Sequence, residues 1–353
     1  MIKESERHMR KLLSTLSVIT IAILMLGACS TKETLSSAEF GETVASPERK
    51  ESKAENLSEE GETDTSLALE EDLAKEPKEG AAVVTHIPRV EVSGSTFTGN
   101  EPLEIIEFFV SDPENEEGLS TEKKSFGFGA AKDGAPNQIT VDNQAYFDSL
   151  QVGALAWDNR TEGKKLYLTF DCGYEYENLT VDILNVLKEK EVTATFFCTL
   201  DYLQTAPEIV ARMIDDGHIV GNHASTHPDC SALSREELAW EILGVDNYLR
   251  ANFGYTSPYF RFPSGEYSEN AMDLVHDLGY KNVFWSLAYA DWDPKNQLGV
   301  SKSLQTITER LHPGAVILLH STSPDNAVIM GDFIDYARNQ GYEFVSLDEY
   351  PWE

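Results

Sequence analysis

Seven short segments in the second half of the chain end in residues that could do chemistry, and their order and spacing suggest one site. The strongest are Leu168-Thr169-Phe170-Asp171-Cys172-Gly173, Gly221-Asn222-His223-Ala224-Ser225-Thr226-His227, Arg261-Phe262-Pro263-Ser264-Gly265, Ala290-Asp291-Trp292 and Ile317-Leu318-Leu319-His320. His223 and His227 are four apart, so one helical turn would put both imidazoles on one side, where a zinc or similar divalent ion could bind. The alternative is a pair of loop histidines that only cap or hydrogen-bond. Asp171 ends an apolar run, with Gly173 allowing a sharp turn. A carboxylate there can take a proton from a water that a metal has acidified from a pKa of ~15.7 to near 7. His320 closes the run Val-Ile-Leu-Leu and can protonate a leaving nitrogen. Asp291 is placed to fix its tautomer, and Arg261 to orient Asp171. These are the parts of a metal-assisted acyl hydrolase.

Elements that position them follow from patterning. Apolar runs at Leu166–Phe170, Val192–Cys198, His218–Asn222, Tyr259–Phe262, Val283–Leu287, Val316–Leu319 and Glu343–Val345 are β-branched or aromatic and bounded by Gly or Pro, as buried parallel strands are. Helical spacing separates them, as in Val181-Ile183-Leu184-Val186-Leu187 and Leu238-Ile242-Val245-Leu249. Gly217, Gly279 and Gly341 each precede a new strand, where left-handed backbone ends a helix without a Cβ clash. Repeated βα units predict an α/β fold, a distorted seven-stranded (β/α) barrel, with its active site at the carboxyl ends of the strands. Gly127–Asn159 reads as an ordered lead-in with Tyr146, Phe147, Leu150 and Trp157 packing on the barrel. Residues 83–125 form an extension of uncertain role, in which Val90-Glu91-Val92 and Thr96-Phe97-Thr98 alternate like a weak hairpin.

The first 29 residues read as a targeting segment. Lys3, Arg7, Arg10 and Lys11 precede an apolar run from Leu12 to Leu26, short for a membrane span. It ends in Leu26-Gly27-Ala28-Cys29, the pattern of a bacterial lipobox, so Cys29 is the expected lipidation site of an exported membrane lipoprotein. A plain transmembrane anchor is the alternative. Residues 30–82 are rich in Glu, Ser, Thr and Lys and too poor in large apolar residues to fold. As a disordered acidic linker, about 50 such residues would reach ~40 Å or more. Residues 31–120 hold 23 Asp/Glu against 7 Lys/Arg, about half of the net charge of −32. Residues 121–353 remain acidic, 35 against 17, which argues against a nucleic-acid partner. Beyond Cys29 there remain Cys172, Cys198 and Cys230. One pair could bridge and leave a free thiol, and three free thiols fit equally well.

Residues 126–353 resemble the polysaccharide deacetylases, the NodB-homology or carbohydrate esterase family four. The matching motifs are Thr169-Phe170-Asp171-x-Gly173, His223-x-x-x-His227, Arg261-x-Pro263-x-Gly265, Asp291-Trp292 and Leu319-His320, in family order. The resemblance implies a deformed (β/α) barrel, a divalent metal that is usually zinc, and hydrolysis of N-acetyl groups from amino sugars. Carried over, Asp171 is the base, His223 and His227 are metal ligands, Arg261 orients the base, and His320 is the acid assisted by Asp291. A backbone amide near Tyr174 would help hold the oxyanion. Cys172 stands where the family usually has a second, metal-binding aspartate. Its thiolate either binds the metal or leaves it to two histidines, water and Asp171. That departure, with Asp171-x-Gly173-Tyr174-Glu175, Val283–Ala288 and Leu319-His320-Ser321-x-Ser323-x-Asp325-Asn326-Ala327, resembles the delta-lactam-biosynthetic de-N-acetylases. It implies peptidoglycan strands as partner and N-acetylmuramic acid as the residue deacetylated, the step before the muramic δ-lactam of spore cortex. An N-acetylglucosamine deacetylase shares every catalytic part. A glycan-binding lipoprotein with a decayed metal site is the reading outside enzymes.

Overall fold

The computed structural model describes residues 95–352 apart from Asn100 and Phe108. The targeting segment, Cys29, the linker and Val90–Val92 lie outside the described residues. Thr96–Phe97 (β1) and Lys124–Ser125 (β2) precede the helix Gln138–Leu150 (α1) and the short strand Ala154–Leu155 (β3). The regular alternation then begins with Lys165–Cys172 (β4) and Leu179–Glu189 (α2). Thr195–Cys198 (β5) is followed by Leu200–Thr205 (α3) and Pro207–Asp215 (α4). Next come Ile219–Asn222 (β6), Arg235–Phe253 (α5), Tyr255–Thr256 (β7), Tyr259–Phe260 (β8) and Glu266–Tyr267 (β9). The chain continues through Glu269–Asp277 (α6), Lys281–Val283 (β10), Val300–Glu309 (α7), Ala315–His320 (β11), Pro324–Asn339 (α8) and Glu343–Phe344 (β12).

Seven strands form a curled parallel half-barrel in the order β11-β4-β5-β6-β8-β10-β3, and β12 pairs with the start of β4. Beyond β10 the chain crosses to β11, at the other end of that order, and pairs with it in parallel at Leu287 and Ile317. Ser286 donates its backbone N–H to the Val316 carbonyl at 2.9 Å, and Leu318 donates to the Leu287 carbonyl at 2.8 Å. The expected seven-strand count holds, but β3 is a member the apolar pattern does not mark. Thr96–Phe97 pairs antiparallel with Tyr255–Thr256, more than 150 residues on, while the other half of the expected hairpin lies outside the described residues.

Strand alternation divides the core in two. On β4, Leu166, Leu168, Phe170 and Cys172 face the layer filled by Ile183, Leu184, Leu187 and Phe333. Thr169 and Asp171 therefore face the barrel interior. On β11, Ala315, Ile317 and Leu319 face that same outer layer, which turns Val316, Leu318 and His320 inward. The second core packs Phe147, Tyr167, Phe197, Phe262 and Phe284. The helices stop as the glycines predict, with Gly217, Gly279 and Gly341 at φ +81°, +91° and +80°. Helix α5 starts on a capping box in which Ser234 and Glu237 satisfy each other's backbone N–H groups.

Candidate active site

Register places two of the site's groups side by side. His320 is the strand partner of Asp171 across β11 and β4, and both lie at the carboxyl ends of their strands. Arg261 follows β8, its backbone N–H bonded to the Asn222 carbonyl at 2.9 Å. Its side chain is fully buried and donates from Nη1 to Asp171 Oδ1 at 2.8 Å, with Nε and Nη2 on the Val283 and Phe284 carbonyls at 3.2 Å each. The guanidinium lies 4.1 Å from the centre of the Phe197 ring. Phe197 has room because residue 221 is glycine: a Cβ there would come within 2.7 Å of it.

Burial alone would raise the Asp171 carboxyl, but Arg261, His223 and His320 outweigh it and hold the group below its ordinary value. Opposite it, His320 Nδ1 lies 2.7 Å from Asp291 Oδ1. Asp291 is buried, and its Oδ2 accepts the His320 backbone N–H at 2.8 Å and the Asn326 amide at 2.7 Å. Burial would lower the His320 imidazole, yet the hydrogen bond and charge of Asp291, with Asp171 beyond, raise it above its usual value. The two neighbours are thus driven apart, one toward carboxylate and the other toward imidazolium. That is how a base and an acid coexist at one pH. Asn326, which also bonds the Tyr289 hydroxyl, was not assigned a role from sequence. Its signal in the sequence is its place in the motif that follows His320, Ser321-x-Ser323-x-Asp325-Asn326.

The histidine pair is brought together differently from the expected helical turn. Residues 223–227 form a loop in which Ala224 and His227 take left-handed backbone, at φ +65° and +57°. Pro228 disfavours helical geometry at the residue before it, and Glu241 holds the loop through the Thr226 N–H and hydroxyl, both at 2.8 Å. The imidazole centres lie 5.0 Å apart. His223 is buried, with Nδ1 2.8 Å from the Arg261 carbonyl and Nε2 3.5 Å from Asp171 Oδ2. A carbonyl only accepts, so Nδ1 carries the proton and Nε2 offers a lone pair toward a carboxylate oxygen. Burial pushes the His223 pKa down to about 4, only partly offset by Asp171. Two acceptors facing each other are suited to a cation between them. Among the described residues no group of three or more His, Cys, Asp or Glu is arranged as a complete cage.

Cys172 does not join this cluster. It alternates with Asp171 and points into the outer core, fully buried, beside its register partner Cys198 on β5. The thiols of Cys172, Cys198 and Cys230 are unbridged.

These groups open on a cleft of ≈ 930 Å³ lined by Asp171, His223, His227 and His320, with Gly173, Tyr174, Phe128, Trp285, Leu318 and Trp292 around them. Trp292 is 61% exposed, its ring 6.4 Å from that of His320. Tyr174 is also exposed.

Residues 158–283 match the family model for polysaccharide deacetylase. Over 194 residues the chain is 39% identical to the peptidoglycan-N-acetylmuramic acid deacetylase PdaA of Bacillus subtilis, a match spanning 55% of this chain and 73% of that protein. The chain belongs to the polysaccharide deacetylase family. It is an amide-hydrolysing enzyme of carbohydrate esterase family 4 with NodB homology. The solved structure of Bacillus subtilis PdaA, a family 4 carbohydrate esterase, superposes with a TM-score of 0.60 at 35% identity, covering 66% of this chain and 98% of that one. A peptidoglycan-N-acetylglucosamine deacetylase of Bacillus cereus is 32% identical over 209 residues, 57% of this chain and 73% of that protein.

Proposed function

We propose that this deacetylase removes N-acetyl groups from peptidoglycan amino sugars, with N-acetylmuramic acid as its residue. The observation that supports this best is the opposed pair in one cleft, Asp171 on Arg261 and His320 on Asp291, in a chain 39% identical to PdaA. Asp171, kept ionised, takes the proton of the attacking water. Arg261 holds that carboxylate by one oxygen and leaves the other turned toward His223. His320, with Nδ1 committed to Asp291, presents Nε2 to the cleft and gives its proton to the departing amine nitrogen. Gly173 and Tyr174 line the cleft, and the Tyr174 backbone amide would be the donor to an oxyanion. His223 and His227 would hold a divalent cation, zinc being the ion such imidazoles suit, which when bound supplies a Lewis acid that acidifies water.

A substrate in the wall requires export, and Cys29 would then tie the enzyme to the membrane by a lipid, the linker giving it reach. The relative acting on N-acetylglucosamine keeps that sugar as a second reading, because both share every catalytic group. A decayed binding protein fits less well, since glycan binding has no use for an acid and a base tuned in opposite directions. The test is acetate release from purified peptidoglycan by the full chain, with His320→Ala as control and mass spectrometry of the digested muropeptides. Acetyl loss on muramic residues supports the preferred sugar; loss on glucosamine alone replaces it. Glycan binding by both proteins without acetate release leaves only the binding module.

A further inference from the structure

One wall of the cleft comes from a segment upstream of the matched residues 158–283. Phe128 lines the same cleft as Asp171 and His320, and the chain around it is fixed from two sides. Phe126 donates its backbone N–H to the Gly265 carbonyl at 2.8 Å, and the Gly127 carbonyl accepts from the Asn143 side chain at 2.6 Å. Strand β2 pairs with β9, while Lys123 reaches Asp229 at 2.8 Å and Glu266 at 3.2 Å. The Phe126 ring packs 4.7 Å from Phe284 and 5.0 Å from Trp285, centre to centre. The approach is close enough to require glycine at 265. That residue sits at φ +68°, and a Cβ would lie 2.9 Å from Trp285 and 3.1 Å from the Phe126 Cβ.

We propose that Phe128 is a substrate-positioning residue whose ring stacks on the apolar face of a pyranose in the glycan chain. A loop tied just before the aromatic at Phe126 and Gly127, and just after it where the Ala130 carbonyl accepts from the Asn137 side chain at 3.2 Å, offers a preorganised platform, so little entropy is lost when a sugar docks. The C–H face of an amino sugar is the surface such a ring covers. The inference rests on the deacetylase reading above and assigns part of its cleft.

The test uses the full chain and peptide-free peptidoglycan strands. Phe128→Ala is expected to raise KM roughly three- to tenfold, the size of one aromatic contact, with kcat unchanged and the thermal midpoint slightly lowered, because the half-buried ring also packs on the second core. Phe128→Tyr restores KM. An unchanged KM, or a loss of kcat together with the thermal midpoint, overturns the proposal, the latter by showing a packing role. Wild-type acetate release tests the deacetylase reading by itself. Should the wild type be inert on every N-acetylated glycan, strand affinity of wild type and Phe128→Ala is compared, and equal affinities sink the inference.

Discussion

Asp171 and His320 share a strand register, yet what surrounds each decides which proton it carries. Asp171 is held low and stays ionised as pH falls; His320 is held high and stays protonated as pH rises. The rate should therefore fall on the acid side as His223 and then Asp171 take up protons, and on the alkaline side as His320 loses its proton. Asp291→Asn removes the charge that raises His320. The alkaline limb is expected to move to lower pH, with kcat down on the order of 10²–10⁴. A pH profile of acetate release reads both, and an unmoved limb would show that Asp291 has no hold on the acid. Cys172 gives a second test at this scale. Its thiol lies on the far face of β4, so Cys172→Ala should leave bound metal unchanged and cost about 1–2 kcal/mol as a small buried cavity. Elemental analysis beside a thermal melt separates the two. Chelation, or His223→Ala, is expected to abolish turnover, and full activity in excess chelator would remove the cation from the proposal.

At the scale of elements, site geometry is carried by how strands make room for one another. Gly221 on β6 is not in a left-handed conformation, so its role is steric. An added methyl would fall 2.7 Å from the Phe197 ring, and that ring supports Arg261, which in turn holds Asp171. Gly221→Ala is expected to cost about 1–3 kcal/mol by overpacking and to lower kcat as Arg261 shifts. A wild-type kcat at reduced thermal midpoint would uncouple the two. The longer strands were legible because Leu166–Phe170 and Ala315–Leu319 are mostly apolar runs followed directly by Asp171 and His320, and the alternation that turns those two inward follows from their period. What escaped notice depends on distant partners. β3 is two residues inside a lead-in, and β1 alternates like half of a hairpin while bonding to Tyr255–Thr256. The His223–His227 spacing suggested a helical turn, whereas Glu241 on another element fixes a loop. No local pattern announces a hydrogen bond to a residue far along the chain.

At the scale of the whole molecule, the described residues before β3 belong to the catalytic body. Ile106 bonds the Asn247 side chain through both its backbone N–H and its carbonyl, at 2.7 and 3.0 Å. The buried Arg235 side chain reaches the Ser111 carbonyl at 3.2 Å and Asp273 and Asp277 at 3.0 and 2.8 Å. Removing that segment would leave α5 and α6 without backbone partners and expose the faces of Phe284 and Trp285 that Phe126 covers. Burial of one aromatic alone is worth about 1.5–3 kcal/mol. A chain starting at residue 95 retains every one of these contacts and serves as the reference. One starting at residue 130 is expected to melt several degrees lower, at about 2–4 °C per kcal/mol for a domain of this size, and to lose most kcat/KM. Thermal melts and acetate release on the two proteins check this together. Equal stability and turnover would show that the segment is a passenger and that the cleft is complete without it.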